Sequence, residues 1–151
     1  MKKYSTIKES KIPNFQNNPS LPTVILCDLD GTIALMNGRS PYDATHCDQD
    51  ILNVPVNEVV KKFDTIFVSG REDKYKEPTL RFFKNHNIKY IDLFMRKSGD
   101  NRKDSIIKEE IYNEHIKDKY NVLFVLDDRN QVVELWRSLG LSCFQVAEGN
   151  F

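Results

Sequence analysis

Short apolar runs rich in β-branched residues recur along the chain at 23–28, 65–69, 89–95, 122–126 and 142–146. None alternates cleanly between apolar and polar, which is the pattern of strands covered on both faces. Between them the apolar spacing becomes helical. A helix is predicted over 56–63, after Pro55, and another over 78–86, opening on Pro78 and carrying Leu80, Phe82 and Phe83. A third, over 103–120, carries Ile106, Ile107, Ile111 and Ile116. The fourth, over 131–139, sets Val132, Leu135, Trp136 and Leu139 on one face before Gly140 as a cap. Strands alternating with helices predict an α/β fold. It is a mostly parallel five-stranded sheet with helices on both faces, joined by right-handed crossovers.

Residues 1–21 break this rhythm, mixing Lys, Ser, Asn and Pro around isolated apolar positions; they read as a tail that Ile12, Phe15 and Leu21 are placed to dock. One domain, residues 22–151, follows, in keeping with a length of 151 residues. Lys plus Arg and Asp plus Glu are both 22, so the chain lacks the strongly basic footprint of a protein that coats duplex nucleic acid. A local nucleic-acid site stays open. No apolar run approaches the ~20 residues that cross a bilayer, and the start of the chain has no apolar leader. The cysteines Cys27, Cys47 and Cys143 have no paired spacing, so the expected location is a reduced, cytoplasmic one.

In a doubly wound sheet, ligands sit at the carboxyl ends of the strands. Here those ends carry Asp28 and Asp30, then Ser69, Gly70 and Arg71, then 99–103 with Lys103, then Asp127, Asp128 and Arg129. A turn after Asp28 brings Asp28, Asp30 and the main-chain carbonyl of Asp30 to one crevice, with Gly31 allowing the bend and Thr32 offering a hydroxyl. Read alone, Asp-Leu-Asp-Gly is a turn with an Asx cap. Together with Asp127 and Asp128 it is a cluster of acids whose repulsion calls for a cation, and all-oxygen ligands with room for water suit Mg²⁺. Lys103, Arg71 and Ser69 supply what a phosphate needs. The combination points to phosphoryl transfer.

The segments Asp28-Leu29-Asp30-Gly31-Thr32, Val68-Ser69-Gly70-Arg71, Lys103 and Leu126-Asp127-Asp128-Arg129 resemble, in order, the four motifs of the haloacid dehalogenase (HAD) superfamily of phosphohydrolases. MNGRSPYD, VSGRED, SGDNRKD, KEEIYNEHI and the last 25 residues from DDRNQ onward resemble more narrowly the 3′-phosphatase domain of phage polynucleotide kinases, over residues 22–151. The resemblance implies a HAD-like Rossmannoid fold with a minimal cap. It implies Asp28 as nucleophile and Asp30 as acid/base. Mg²⁺ would be held by Asp28, the Asp30 carbonyl and either Asp127 or Asp128, which the sequence leaves open. Lys103 would offset charge, Ser69 and Thr32 would bind phosphoryl oxygens, and Arg39 and Arg71 would contact substrate. The implied substrates are 3′-phosphorylated, or 2′,3′-cyclic, nucleic-acid ends or nucleotides. The sequence has no GxxxxGK[ST], so 5′-kinase activity is not expected of it.

Only 38 residues separate Asp30 from Ser69, which predicts a small flap near 33–45 in place of a large cap. His46-Cys47-Asp48 lacks a matching second pair and reads as structural. Trp136, Phe82 and Phe83 read as core, Lys61-Lys62 and Arg96-Lys97 as surface charge or as attractors of a phosphate backbone, and Tyr42 as an aromatic free to stack on a base. Three other readings compete: a general HAD nucleotidase, a non-catalytic phosphoacceptor module like a receiver domain, and an end-binding repair or RNA-processing subunit whose partner supplies the kinase or ligase. A receiver has no use for a proton donor at Asp30.

Overall fold

The computed structural model describes residues 13–151, so the docking expected of Ile12 lies outside it. Seven strands and four helices follow in the order β1 (Thr23–Cys27), β2 (Ala34–Leu35), β3 (Ile51–Leu52), α1 (Val54–Val60), β4 (Thr65–Glu72), α2 (Lys76–Asn85), β5 (Asp92–Arg96), α3 (Asp104–Ile111), β6 (Asn121–Asp127), α4 (Asn130–Ser138) and β7 (Cys143–Gln145). Five form one sheet, ordered β5-β4-β1-β6-β7, and every neighbouring pair is parallel. This is the predicted three-layer α/β/α architecture. Strand order reverses across β1, with β4 on one side and β6 on the other, so the crevice opens where β1 ends.

The apolar runs without alternation have their cause here. Ile25 and Cys27 of β1 pack with α1 and α2 through Val56, Val60, Phe82 and Phe83. Val24 and Leu26 pack on the other face with Ile107 and Ile111 of α3 and Val132, Val133 and Trp136 of α4. Each fully buried apolar side chain contributes ~1.5–3 kcal/mol, so both faces of the central strand resist shifting.

The predicted 103–120 helix is shorter and changes pitch. After α3 the chain continues as a π-helical turn over Tyr112–Ile116, with Lys117 N–H bonded to the Tyr112 carbonyl. Ile107 and Ile111 are four apart, but Ile116 follows Ile111 by five, and the wider turn returns Ile116 to the buried face. Ile106, expected on that face, is 41% exposed. The third sheet strand begins at Asp92 and not at residue 89, because Tyr90 packs against Phe83, ring centroids 4.9 Å apart.

The cap is small, as expected, but extends further along the chain. β2 and β3 pair antiparallel, and residues 36–50 cross between them with a 3₁₀ turn at Cys47–Gln49. Residues 14–21 run along the far end of the sheet, where Asn121 Nδ2 donates to the carbonyls of Asn18 and Leu21. No helix among the described residues is long and apolar enough to cross a membrane.

Candidate active site

β1 ends at Cys27, so Asp28 is the first residue past the strand, anchored by its N–H to the Leu126 carbonyl of β6. The next residues make a tight turn in which Thr32 N–H and Ala34 N–H both bond the Leu29 carbonyl and Gly31 N–H bonds the Ala34 carbonyl. These bonds leave the Asp30 carbonyl unused. Gly31 has φ +78°, and a Cβ there would collide with the Asp128 carboxylate. The glycine therefore serves two needs, left-handed backbone and close approach of the two acidic loops.

One carboxylate oxygen each from Asp28, Asp127 and Asp128 lies within 4.8 Å of the others, and all three residues are buried. The ammonium against them belongs to Lys108, at 2.8 Å from Asp28 Oδ1 and 2.9 Å from Asp127 Oδ2. Lys103, expected in this role, is exposed at the residue before α3 and makes no ion pair among the described residues. The reason is helical geometry: Lys108 follows Ile107 and precedes Ile111 by three, so it lies at the border of the buried face with its stem in apolar surroundings. Burial opposes charge on Lys108, but Asp127 and Asp28 outweigh it and hold the ammonium firmly protonated.

Asp127 and Asp128 have different surroundings. Asp127 Oδ1 accepts from the N–H of Asp128 (2.9 Å) and of Arg129 (3.4 Å), and its Oδ2 accepts from Lys108 and from Trp136 Nε1 (3.2 Å). Four donors use up that carboxylate. Among the described residues Asp128 has only the Thr32 hydroxyl, 3.3 Å from its Oδ1. Asp28 and Asp128 are thus the side chains of the cluster with lone pairs left for a cation, and the Asp30 carbonyl in the turn between them in sequence order also accepts no hydrogen bond among the described residues. Their charge state agrees. Burial first, then Asp127, pushes the Asp28 carboxyl well above its usual value, and the same causes raise Asp128. Three carboxylates against one ammonium leave a deficit of positive charge of the size a divalent ion would balance.

Thr32 was expected to face phosphate, but its hydroxyl is fully buried and donates to Asp28 Oδ2 (3.2 Å) or Asp128 Oδ1. Ser69, within β4, accepts from Arg71 N–H at 3.0 Å and keeps its own hydrogen for another acceptor.

Asp30 stands apart, held by two arginines. Arg71 donates through Nη2 (2.7 Å) and Nε (3.3 Å), and Arg39, from the cap, donates through Nη2 at 2.6 Å. Arg39 is itself fixed by Asp50, whose carboxylate accepts at 2.8 and 2.9 Å. Arg71 also reaches Thr79 (2.7 Å) and the Cys47 sulfur (3.1 Å). Burial raises the Asp30 carboxyl, but the charge and hydrogen bonds of Arg71, then Arg39, outweigh it and leave Asp30 below the usual carboxylate range. Asp50 escaped sequence reading; its signal was its place beside Ile51, where an acid opens a short strand facing Arg39.

Arg96, read as surface charge, is buried. It donates to the carbonyls of Gly70 (2.7 Å), Asp100 (2.9 Å) and Arg102 (2.5 Å) and pairs with Asp104, whose other oxygen takes Arg129 Nη1 at 2.6 Å. Gly70 packs so tightly on Asp104 that a Cβ would fall 2.5 Å from its Oδ1. These bonds lock the last part of β4 to the loops after β5 and β6.

A parallel sheet whose central strand delivers Asp28 beside Asp128 and Lys108, with Asp30 two residues on, is the site of a HAD-type protein. The profile described as "Polynucleotide kinase PNKP phosphatase domain" matches residues 22–151, and the chain belongs to that family. It is 38% identical over 141 residues to the "Putative bifunctional polynucleotide kinase/RNA ligase" of Autographa californica nuclear polyhedrosis virus, a match covering 85% of this chain and 20% of that protein. Two solved structures superpose closely. "Structure of the Pnkp1/Rnl/Hen1 RNA repair complex" gives a TM-score of 0.88 at 50% identity, covering 92% of this chain and 47% of that one. "Structure of Pnkp1/Rnl/Hen1 complex" gives 0.89 at 50% identity, covering 95% and 52%. The chain thus spans about a fifth of the viral protein and about half of the solved chains.

Proposed function

We propose that the protein is a Mg²⁺-dependent phosphomonoesterase that removes 3′-phosphate from nucleic-acid ends or nucleotides. The observation that carries this is the division of labour between Asp28, buried against Lys108 and Asp128, and Asp30, held apart by two arginines. The family match over residues 22–151 supports it.

The site residues would act as follows. The Asp28 carboxylate attacks phosphorus, and the bond from phosphorus to the sugar oxygen breaks, leaving an aspartyl-phosphate. Asp30 protonates the departing oxygen and then takes a proton from the water that cleaves the acyl-phosphate, each role worth ~10²–10⁴ in rate. Free Asp30 is ionised, so it must gain a proton first; a phosphate that draws Arg71 and Arg39 onto its own oxygens removes the charges that keep Asp30 ionised. Lys108 steadies Asp28 and the charge that develops on the phosphoryl group, and Ser69 offers a donor. Mg²⁺ held by Asp28, the Asp30 carbonyl and Asp128 would keep both carboxylates ionised and neutralise phosphoryl oxygens.

Turnover of a 3′-phosphorylated oligonucleotide, a 3′-mononucleotide and a 5′-mononucleotide tests the reading. Release of phosphate from the first two, lost in Asp28→Asn and on chelation, is expected. Preference for the 5′-mononucleotide would identify a general nucleotidase, and a long-lived phosphoaspartate would identify a receiver.

A further inference from the structure

The cap contains an aromatic side chain that serves no packing purpose. Tyr42 is 91% exposed, whereas Ala44 and Cys47 beside it are buried. Its backbone is nonetheless pinned: Tyr42 N–H donates to the Ser40 hydroxyl at 3.2 Å, and its carbonyl accepts from the Tyr75 hydroxyl at 3.5 Å. A ring held out from a fixed backbone, three residues after the arginine that grips Asp30, is a surface on the cap on which a base can stack.

Tyr75 extends this surface to the loop after β4, and Lys74 Nζ lies 5.1 Å from its ring centroid. That loop is tied to the one after β5. Lys74 N–H donates to the Ser98 hydroxyl, Ser98 donates twice to Asp73 Oδ1, and Gly99 N–H donates to Glu72 Oε2. Asp73 and Glu72 are engaged in these bonds, with Glu72 Oε1 also 3.7 Å from Lys74 Nζ, and Asp43 is taken up by Thr45, while Glu77 in the first turn of α2 is exposed. Lys74 and Lys97 remain exposed on the two tied loops. Aromatic rings interleaved with cations beside a phosphate site fit one ligand chemistry, an unpaired strand of nucleotides.

We propose that Tyr42, Tyr75, Lys74 and Lys97 form a ledge that binds the single-stranded segment leading to the 3′ end, one base stacking on Tyr42 and backbone phosphates meeting the two lysines. The inference rests on the phosphatase reading of the neighbouring site, yet its test needs no turnover. Anisotropy of a short 5′-fluorescein-labelled oligonucleotide without terminal phosphate gives the affinity. Tyr42→Ala is expected to weaken binding about tenfold while Tyr42→Phe, which keeps the ring, binds as the native protein does. Lys74→Ala and Lys97→Ala are each expected to reduce the slope of log affinity against log salt by about 0.7. Native affinity in Tyr42→Ala, or a blunt duplex competing as well as the single strand, overturns the ledge. If the native protein releases no 3′-phosphate while the ledge variants still shift binding, the phosphatase reading fails alone. If it releases phosphate and Tyr42→Ala binds normally, the ledge fails alone.

Discussion

Lys108 and Lys103 differ by five positions and by everything that surrounds them. Lys108 is 2% exposed between two carboxylates, and removing it leaves Asp28 and Asp127 facing each other in low dielectric. Lys108→Met is therefore expected to lower kcat by about 10²–10³, whereas Lys103→Ala, at an exposed position, stays within about twofold. Steady-state kinetics of the two variants, with far-ultraviolet circular dichroism to confirm folding, checks this. The lysine was hard to find from sequence because a charge beside Ile107 reads as the polar border of an amphipathic helix. Asp28, Asp30, Asp127 and Asp128 were legible, because a short apolar strand running straight into acids has few structural uses. Thr32 was legible in position but not in direction, since a hydroxyl one turn after an acid bonds carboxylate or ligand with equal ease.

At the scale of elements, the sheet and four helices followed from spacing alone, since β1, β4 and β6 are apolar on both sides. The missed features have local causes. β2 and β3 have two residues each, too few to show a period, and the π turn at Tyr112–Ile116 is visible only as a five-residue interval between isoleucines. The buried Arg96 could not be separated from Lys97 without knowing that the last part of β4 and two loops meet beneath it. Asp104 is the shared acceptor of that meeting, bridging Arg96 at the end of β5 and Arg129 before α4. Asp104→Asn leaves two guanidiniums with a neutral partner and is expected to cost about 2 kcal/mol, lowering the melting temperature by about 4–8 °C. Differential scanning calorimetry measures it directly.

For the molecule as a whole, the site is a source of instability when no cation is bound. Asp28 and Asp128 have carboxyl groups raised in the folded state, so folded protein binds protons more tightly than unfolded chain. Their stabilising contribution is complete below the unfolded carboxyl pKa near 3.8 and is lost as pH rises through the raised folded values. Asp30 has the opposite sign: lowered in the fold, it stabilises above that unfolded value and stops doing so as pH falls through its folded one. In chelator, mild acidification from neutrality is expected to raise the melting temperature until Asp30 begins to protonate. Asp128→Asn should raise it by about 2–4 °C at neutral pH, equivalent to ~1 kcal/mol, and abolish the gain expected of added Mg²⁺ in the native protein.

The chain's single tryptophan, Trp136, donates its indole N–H to Asp127, the carboxylate that also holds Lys108. Nature has thereby wired the protein's one strong ultraviolet fluorophore to the charge balance of its buried acidic cluster. Titrating the cation or the proton should shift that emission without any label, so the colour of the native protein's light becomes a gauge of whether its centre is loaded.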